Sequence, residues 1–312
     1  MNSNVWVLTF ADAISIATTL ILASIGAIIT ERSGVINLGI EGMLLMGAVT
    51  AFLVGDSTHS IWLALFLSIL VGMAMATVHA VLTITLRSNQ IVSGLALVIF
   101  GTGLSQFLGK SVEGKPRPVQ IRPLNFGSLS DIPFFGPVVF GHDLITYFTW
   151  IVALFASWYL FRTRSGLILR ATGDAPATVD AQGVSVAAVR YFHTIAGGAL
   201  VGLAGGWFML ARGTAWSQAA TTNGIGWIAL ALVVFAAWRP LRAIIGAVLF
   251  GFTLQVPFTL QAQQIRIFPP EILQMLPYLA TIAVLVVLST PRARRLLGAP
   301  TMLGQPFVRD ER

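Results

Sequence analysis

Long stretches of consecutive apolar residues, separated by short polar segments, dominate the sequence. Nine such stretches cover residues 5–30, 35–55, 60–86, 90–109, 143–161, 191–211, 225–238, 243–260 and 272–289. Most approach the roughly 20 apolar residues that a bilayer-spanning helix needs, and they lack the short alternating pattern of membrane β-barrel strands. The pattern predicts an all-α integral membrane protein with about nine transmembrane helices, with eight or ten as the alternatives.

The composition indicates the same class. Of the 312 residues, 56% are hydrophobic and 10% are charged, and the mean hydropathy is +0.83. Soluble domains carry about 25% charged residues, so an ordinary soluble enzyme is excluded. A disordered chain is also excluded, because disorder requires low hydrophobicity and high charge. We therefore expect a single transmembrane domain over residues 1–312.

The formal net charge of +7 comes largely from arginines at the ends of apolar runs. Basic residues in short loops favour the cytoplasmic side and interact with anionic lipid, so membrane lipid, and not nucleic acid, is the expected partner. If the arginines after the last run (292, 294 and 295) are cytoplasmic, nine helices place the N-terminus outside. The same count places these arginines inside: Arg32, Arg87, Arg162, Arg164, Arg170, Arg190, Arg239 and Arg242.

Two connecting segments are longer than the others. Residues 111–142 are rich in Pro and Gly, which predicts an irregular external loop. Residues 162–190 fall on the cytoplasmic side. There we expect Asp174 to cap a short helix over 175–182, with Pro176 in its first turn and Gly183 at its end. Such a helix is either a docking element or part of a plain connection.

A few polar side chains fall inside the apolar runs, where they are costly and often functional. Asn37 and Glu41 are spaced to share one helix face, and nearby glycines allow a break of the kind found along transport paths. Alternatively, Glu41 lies near the cytoplasmic interface and pairs with Arg32 or Arg87. Asp12 either pairs with a neighbouring helix or marks the start of the first span.

Sequence patterns for catalysis and metal binding are missing. The chain has no Cys, and its four His give no metal-ligand spacing. No P-loop or hydrolase motif occurs. We therefore assign no catalytic residue, metal or cofactor to this chain, and ATP, if used, must be bound by another chain.

Four segments resemble permeases of the branched-chain amino acid/ribose class of ABC importers. Glu31–Met43 (ERSGVINLGIEGM) resembles the signature near the start of these permeases, and residues 170–184 resemble their cytoplasmic coupling region. Residues 224–231 with Trp238-Arg239-Pro240, and residues 276–281, resemble the subgroup that imports nucleosides or purines with a basic-membrane-protein-type binding lipoprotein.

The resemblance implies a type II ABC importer-like permease in the bacterial cytoplasmic membrane, with a cytoplasmic C-terminus. Its expected partners are a second permease in a hetero- or homodimer, two ABC ATPase subunits that carry ATP-Mg, and an external substrate-binding lipoprotein. The cargo would be a nucleoside, a purine or a related sugar. The implied coupling residues are Gly173, Asp174, Pro176, Asp180 and Gly183, and the implied path residues are Asn37, Glu41, Asn89, Ser93 and Gly94.

Two other protein classes are alternatives to this interpretation. A secondary transporter or channel for a small polar solute would use Asp12 or Glu41 as a proton or ion site. A membrane-embedded enzyme would need convergent catalytic groups, which the sequence does not offer.

Overall fold

A computed structural model describes residues 3–217, 221–222, 224–264, 269, 272–273, 275–288 and 298–308. Within these residues the chain forms eleven α-helices. They are α1 (Ser3–Arg32), α2 (Ile40–Thr58), α3 (Ile61–Ala80, continued by a π-helical turn Val81–Thr85), α4 (Gln90–Gly109), α5 (Leu144–Arg162), α6 (Arg164–Asp174), α7 (Pro176–Ala181), α8 (Val186–Ala211), α9 (Ile225–Phe235), α10 (Pro240–Ala262) and α11 (Leu276–Leu288).

Seven helices in the described part of the chain, α1–α5, α8 and α10, are long and apolar enough to cross a membrane. Helix α9 has 11 residues, and α11 has 13 within the described residues. Each predicted apolar run therefore contains a helix, and the all-α, multi-pass architecture is confirmed. The count of about nine spans is not confirmed, because only seven helices of the described residues are long enough and α9 is shorter than a bilayer crossing requires. The arginines at 292, 294 and 295 lie outside the described residues.

Glycines allow the central helices α2, α3 and α8 to pack with their backbones close together. A methyl group added at Gly72 would lie 2.7 Å from Gly202 Cα, and one added at Gly47 would lie 3.1 Å from the same atom. Gly202 of α8 thus touches two neighbouring helices at once. Small residues at such positions are the usual means of tight packing between membrane helices.

Substitution Gly202→Ala is expected to destabilise the protein by about 1–3 kcal/mol, because overpacking forces neighbouring elements apart. An added Cβ would lie 2.9 Å from Gly72 Cα. Thermal melting of the purified protein in detergent measures the loss. Gly103→Ala on α4 is the matched control, since an added Cβ there meets no atom within 4 Å. Equal melting temperatures for the two variants would contradict the packing role of Gly202.

Several helices present large apolar side chains outward. The exposed ones on α3, α4 and α5 include Trp62, Phe66, Ile99, Phe107, Ile151 and Trp158. A surface of this kind is suited to lipid or to another transmembrane subunit.

The segment expected to be a loop with a single helix contains two helices, α6 and α7. Helix α6 begins where the Thr163 hydroxyl accepts a hydrogen bond from Gly166 N (3.0 Å). The prediction that Asp174 caps the next helix is wrong, because Asp174 is the last residue of α6 and Ala175 precedes α7 without a side-chain cap. Pro176 opens α7, and Gly183 follows it with φ of 80°, as predicted.

Residues 111–142 form short turns that fold over the end of α8. Ile121 N donates to Leu210 O (3.1 Å), and Arg117 Nη1 donates to Ala211 O (2.9 Å) and Gly213 O (3.1 Å). The backbone carbonyls that end α8 therefore receive donors from this loop, which replaces the missing helical partners.

Candidate functional site

A buried carboxylate lies at the centre of the candidate site. Glu41, in the first turn of α2, is 7% exposed. Its Oε2 accepts a hydrogen bond from Gly226 N (2.7 Å), and its Oε1 accepts from Gly224 N (3.3 Å) and from the Thr222 hydroxyl. These N–H groups lie at the start of α9. The carboxylate therefore caps α9 and interacts favourably with the positive end of its dipole.

Two glycines make this approach possible. Gly224 has φ of 81°, a left-handed conformation that favours glycine. A Cβ added at Gly226 would lie 2.6 Å from Glu41 Oε2 and 2.7 Å from Glu41 Cα. Helix α9 therefore begins in direct backbone contact with α2.

Helix α9 is too short to cross a membrane. Its 11 residues extend about 16 Å at the α-helical rise of 1.5 Å per residue, or about half of a hydrocarbon core of roughly 30 Å. Half-length helices whose N-termini meet polar groups within the bilayer are a recurring feature of transporter sites. The Glu41 cap on α9 likewise joins a half-length helix to a buried polar group.

The other end of α9 is fastened to the end of α1. Arg32 donates from Nε (3.2 Å) and Nη2 (3.1 Å) to Trp238 O. The Trp238 indole in turn donates to Glu31 Oε2 (2.6 Å). Both ends of α9 are therefore held by the α1–α2 unit, by which we mean these two helices and the residues 33–39 that connect them. Glu31 and Arg32 at the end of α1 hold one end of α9, and Glu41 at the start of α2 holds the other.

Residues 33–39 form a break between α1 and α2. Around Ile36, the Gln90 side chain accepts from the backbone N–H (2.7 Å), and His79 Nε2 lies 2.8 Å from the backbone oxygen. His79 Nδ1 lies 3.0 Å from Ser93 Oγ. Side chains of α3 and α4 thus satisfy backbone groups of Ile36 that have no helical partner.

The expectation that Asn37 and Glu41 share a helix face is wrong, because α2 begins only at Ile40. The Asn37 side chain accepts a hydrogen bond from Gly39 N (3.0 Å), a local turn that competes with helix formation. The alternative pairing of Glu41 with Arg32 or Arg87 is also wrong, because the Glu41 carboxylate accepts its hydrogen bonds from residues 222–226.

The other predicted path residues lie around the same break. Asn89 Oδ1 caps α4 by accepting from Ile91 N (3.0 Å) and Val92 N (3.1 Å). Gly94 packs on the break, since a Cβ added there would lie 2.9 Å from Leu38 N. Asn37, Glu41, Ser93 and Gly94 are thus brought together at the break, and Asn89 lies at the start of α4. Their role as a path stays a prediction.

Sequence reasoning missed the partners of Glu41 in the 222–226 segment. The sequence shows the Gly224-Ile-Gly226 pattern. No local spacing connects this segment to Glu41, which lies 181 or more positions earlier.

Several arginines gather at one end of the bundle. The guanidinium carbons of Arg32, Arg170 and Arg239 lie 5.9, 5.2 and 5.8 Å from the centre of the Phe161 ring. These distances suit cation–π attraction. Arg190 lies nearby, where its Nε donates to Ser33 O (3.1 Å). We call the end that carries these four arginines the basic end.

The opposite end of α8 carries a different charged group. Arg212 Nη1 lies 2.9 Å from Asp12 Oδ1, and Gln255 of α10 donates to Asp12 Oδ2 (3.3 Å). The predicted pairing of Asp12 with a neighbouring helix is confirmed. Burial, together with repulsion from Arg212, lowers the pKa of Arg117 in the covering loop.

The predicted coupling residues cluster at the basic end. Gly173 packs directly on the backbone oxygen of Arg32, and Asp174 Oδ1 accepts from Thr301 N (3.1 Å). Asp180 borders a cavity of about 480 Å³ together with Arg87, Gly183, Arg190 and Phe307.

Residues 9–285 match the model of the family described as branched-chain amino acid transport system / permease component. The chain belongs to this family. The resemblance seen in the four sequence segments is thereby confirmed, and the protein is a multi-pass permease subunit. Permeases of this family work with ATPase and substrate-binding components.

Similar curated proteins include a putative glucose ABC transporter permease protein of Haloferax volcanii, which is 38% identical over 94% of this chain and 95% of the relative. The nucleoside ABC transporter permease protein of Lactococcus lactis is 34% identical over 89% of this permease and 90% of the relative. The guanosine ABC transporter permease protein of Bacillus subtilis is 32% identical over 95% of each chain. No solved structure matches the permease.

Proposed function

We propose that this permease imports a nucleoside, a purine or a related sugar across a bacterial cytoplasmic membrane, driven by separate ATPase subunits that bind ATP-Mg. The observation that carries the proposal is similarity over nearly the whole chain to proteins named as nucleoside, guanosine and glucose permeases. Similarity to these three relatives favours a cargo that contains a nucleobase or a sugar.

The proposed orientation puts the basic end in the cytoplasm. Arg32, Arg170, Arg190 and Arg239 are at this end, and positively charged residues in short segments favour the cytoplasmic side. The C-terminal residues 298–308 contact the same end and would also be cytoplasmic. Residues 111–142, at the opposite end of α8, would then face the substrate-binding lipoprotein.

The proposed coupling element is the α6–α7 pair. It lies at the basic end and contains Gly173, Asp174, Pro176 and Asp180, and Gly183 is the second residue after α7. Each of two ATPase subunits would push on one such element, one in each permease of a hetero- or homodimer. The exposed apolar faces of α3, α4 and α5 offer surface for the second permease and for lipid.

The proposed path runs past the break in α1–α2 and the start of α9. Asn37, Glu41, Asn89, Ser93 and Gly94 would line or shape it. The support is geometric: this region combines a half-length helix, a buried carboxylate and non-helical backbone.

The test uses proteoliposomes that contain the permease complex, with the binding protein added outside. Uptake of labelled guanosine, adenosine and glucose is measured with ATP, without ATP and without the ATPase subunits. ATP-dependent uptake of one of these solutes is the expected result. Uptake that survives removal of the ATPase subunits but stops when a proton gradient is collapsed would overturn the proposal in favour of a secondary transporter.

Gly183→Val is expected to uncouple ATP hydrolysis from uptake. Gly183 has φ of 80°, and a β-branched residue there costs about 1–3 kcal/mol, which would displace the end of α7. Solute moved per ATP hydrolysed is the measurement. Gly114→Val is the matched control, because Gly114 has φ of 73° and lies in the loop at the opposite end. The coupling assignment fails if both variants retain the normal ratio.

A further inference from the structure

Residues 298–308, which we call the strap, lie across the basic end and contact two functional regions. On one side the strap binds the end of α6, where Met302 N donates to Gly173 O (2.9 Å) and Thr301 N donates to Asp174 Oδ1 (3.1 Å). On the other side it binds the break between α1 and α2, where Gly304 N donates to Gly34 O (3.0 Å). The strap therefore connects the proposed coupling element to the break.

Arg190 reinforces the second of these connections. This side chain of α8 is 2% exposed. Its Nε donates to Ser33 O (3.1 Å) in the break, and its Nη1 donates to Gln305 O (3.1 Å) in the strap. One guanidinium thus joins three separate segments through two charged hydrogen bonds, which are stronger than neutral ones.

The packing around these bonds leaves little free space. Gly34 has φ of 92°, and a Cβ added there would lie 2.9 Å from Arg190 Nη2. Gly304 has φ of 81°, and a Cβ added there would lie 2.7 Å from Ile36 Cδ1. The side chains of His79 and Gln90 contact the backbone of Ile36. A displacement of the strap would therefore reach the residues that shape the proposed path.

We propose that Arg190 and the strap form a positioning device that transmits movement of the α6–α7 pair to the break between α1 and α2. The inference rests on the proposed function, because it assigns the route by which ATPase movement reaches the path. Arg190 acts through backbone groups of the break and the strap, so it is a positioning residue. Movement of the α6–α7 pair reaches the break only if the strap keeps its hydrogen-bond geometry. A flexible strap would move without displacing the break.

Arg190→Lys tests this role. A lysine keeps the charge, but its single ammonium lacks the planar fork that reaches Ser33 and Gln305 together. Losing one buried charged hydrogen bond changes an equilibrium by about tenfold. We expect solute moved per ATP to fall by about fivefold or more, while ATP hydrolysis by the assembled complex stays within about twofold of wild type.

Two further variants connect Arg190 to the strap. Deletion of residues 298–312 is expected to lower the transport-to-ATP ratio, and adding Arg190→Lys to this deletion is expected to lower it no further, because both remove the same connection. Gly304→Ala displaces the strap without removing it. If the deletion impairs assembly, this variant replaces the deletion in the same comparison. All ratios are expressed per assembled complex.

Arg122→Lys is the matched control, since Arg122 is exposed in the loop at the opposite end. The inference is overturned if Arg190→Lys lowers the amount of complex but leaves the transport-to-ATP ratio unchanged, which would indicate a purely structural role. It is also overturned if the effects of Arg190→Lys and the deletion multiply. Failure of the wild-type complex to couple ATP to uptake would overturn the proposed function instead, so the two failures are distinguishable.

Discussion

Glu41→Gln is expected to abolish most ATP-driven uptake and to weaken the anchoring of α9. The glutamine can still accept a hydrogen bond through its carbonyl, but its NH2 group would face one of the N–H donors at the start of α9. The carboxylate now accepts from Gly226 N at 2.7 Å and from Gly224 N at 3.3 Å. An unpaired buried N–H costs about 1–3 kcal/mol, and loss of the negative charge removes a favourable dipole interaction of up to about 2 kcal/mol.

The two contributions are separated by comparing variants. Glu41→Gln and Glu41→Ala both remove the charge, but the alanine also removes the hydrogen bonds, so it is expected to melt at the lower temperature. Asp56→Asn is the matched control, because Asp56 is exposed near the end of the same helix. Uptake is measured in proteoliposomes and melting in detergent. Normal flux and melting for Glu41→Gln would show that the carboxylate is dispensable at the start of α9.

The all-α architecture and the positions of the helices could be predicted from hydropathy, because a bilayer imposes a minimum length on apolar runs. The length of the apolar run alone could not show that residues 225–238 contain only a short helix. Residues 225–235 are apolar enough for a span, yet α9 stops where Ala237 and Trp238 adopt left-handed conformations. That turn is held by Arg32, which is more than 200 residues away in sequence.

Local rules predicted the helix around 176–181 but chose the wrong capping residue. Asp174 before Pro176 is a typical sequence for a helix start. The structure instead extends the preceding helix through Asp174 and uses its carboxylate to bind the strap. The same limitation applies at Asn37 and Glu41, whose spacing suggests one helix face. Their separate roles depend on α3, α4 and α9, and contacts with distant segments are not encoded in spacing.

Arg32→Gln is expected to release the other end of α9. Arg32 is 7% exposed and donates to Trp238 O from Nε (3.2 Å) and Nη2 (3.1 Å), and to Ala237 O at 3.5 Å. These carbonyls belong to consecutive residues with φ of 51° and 54°. Each left-handed non-glycine residue costs about 1–2 kcal/mol, so the turn depends on the hydrogen bonds that hold it.

Because a glutamine side chain is shorter and has one NH2 group, it leaves part of this network unpaired, and a loss of about 2–4 kcal/mol in the free energy of unfolding follows. We expect a lower melting temperature in detergent and loss of ATP-driven uptake. Arg122→Gln removes the same charge from an exposed site at the opposite end and is expected to change neither the melting temperature nor the uptake.

The double variant tests whether Arg32 and Glu41 hold the two ends of one helix. If each single substitution releases one end of α9, the double variant should lose less free energy of unfolding than the sum of the two single losses, because a helix already released at one end has fewer contacts left to lose at the other. Strict additivity would mean that the two ends of α9 are held independently, and α9 would then not act as one body fastened to the α1–α2 unit.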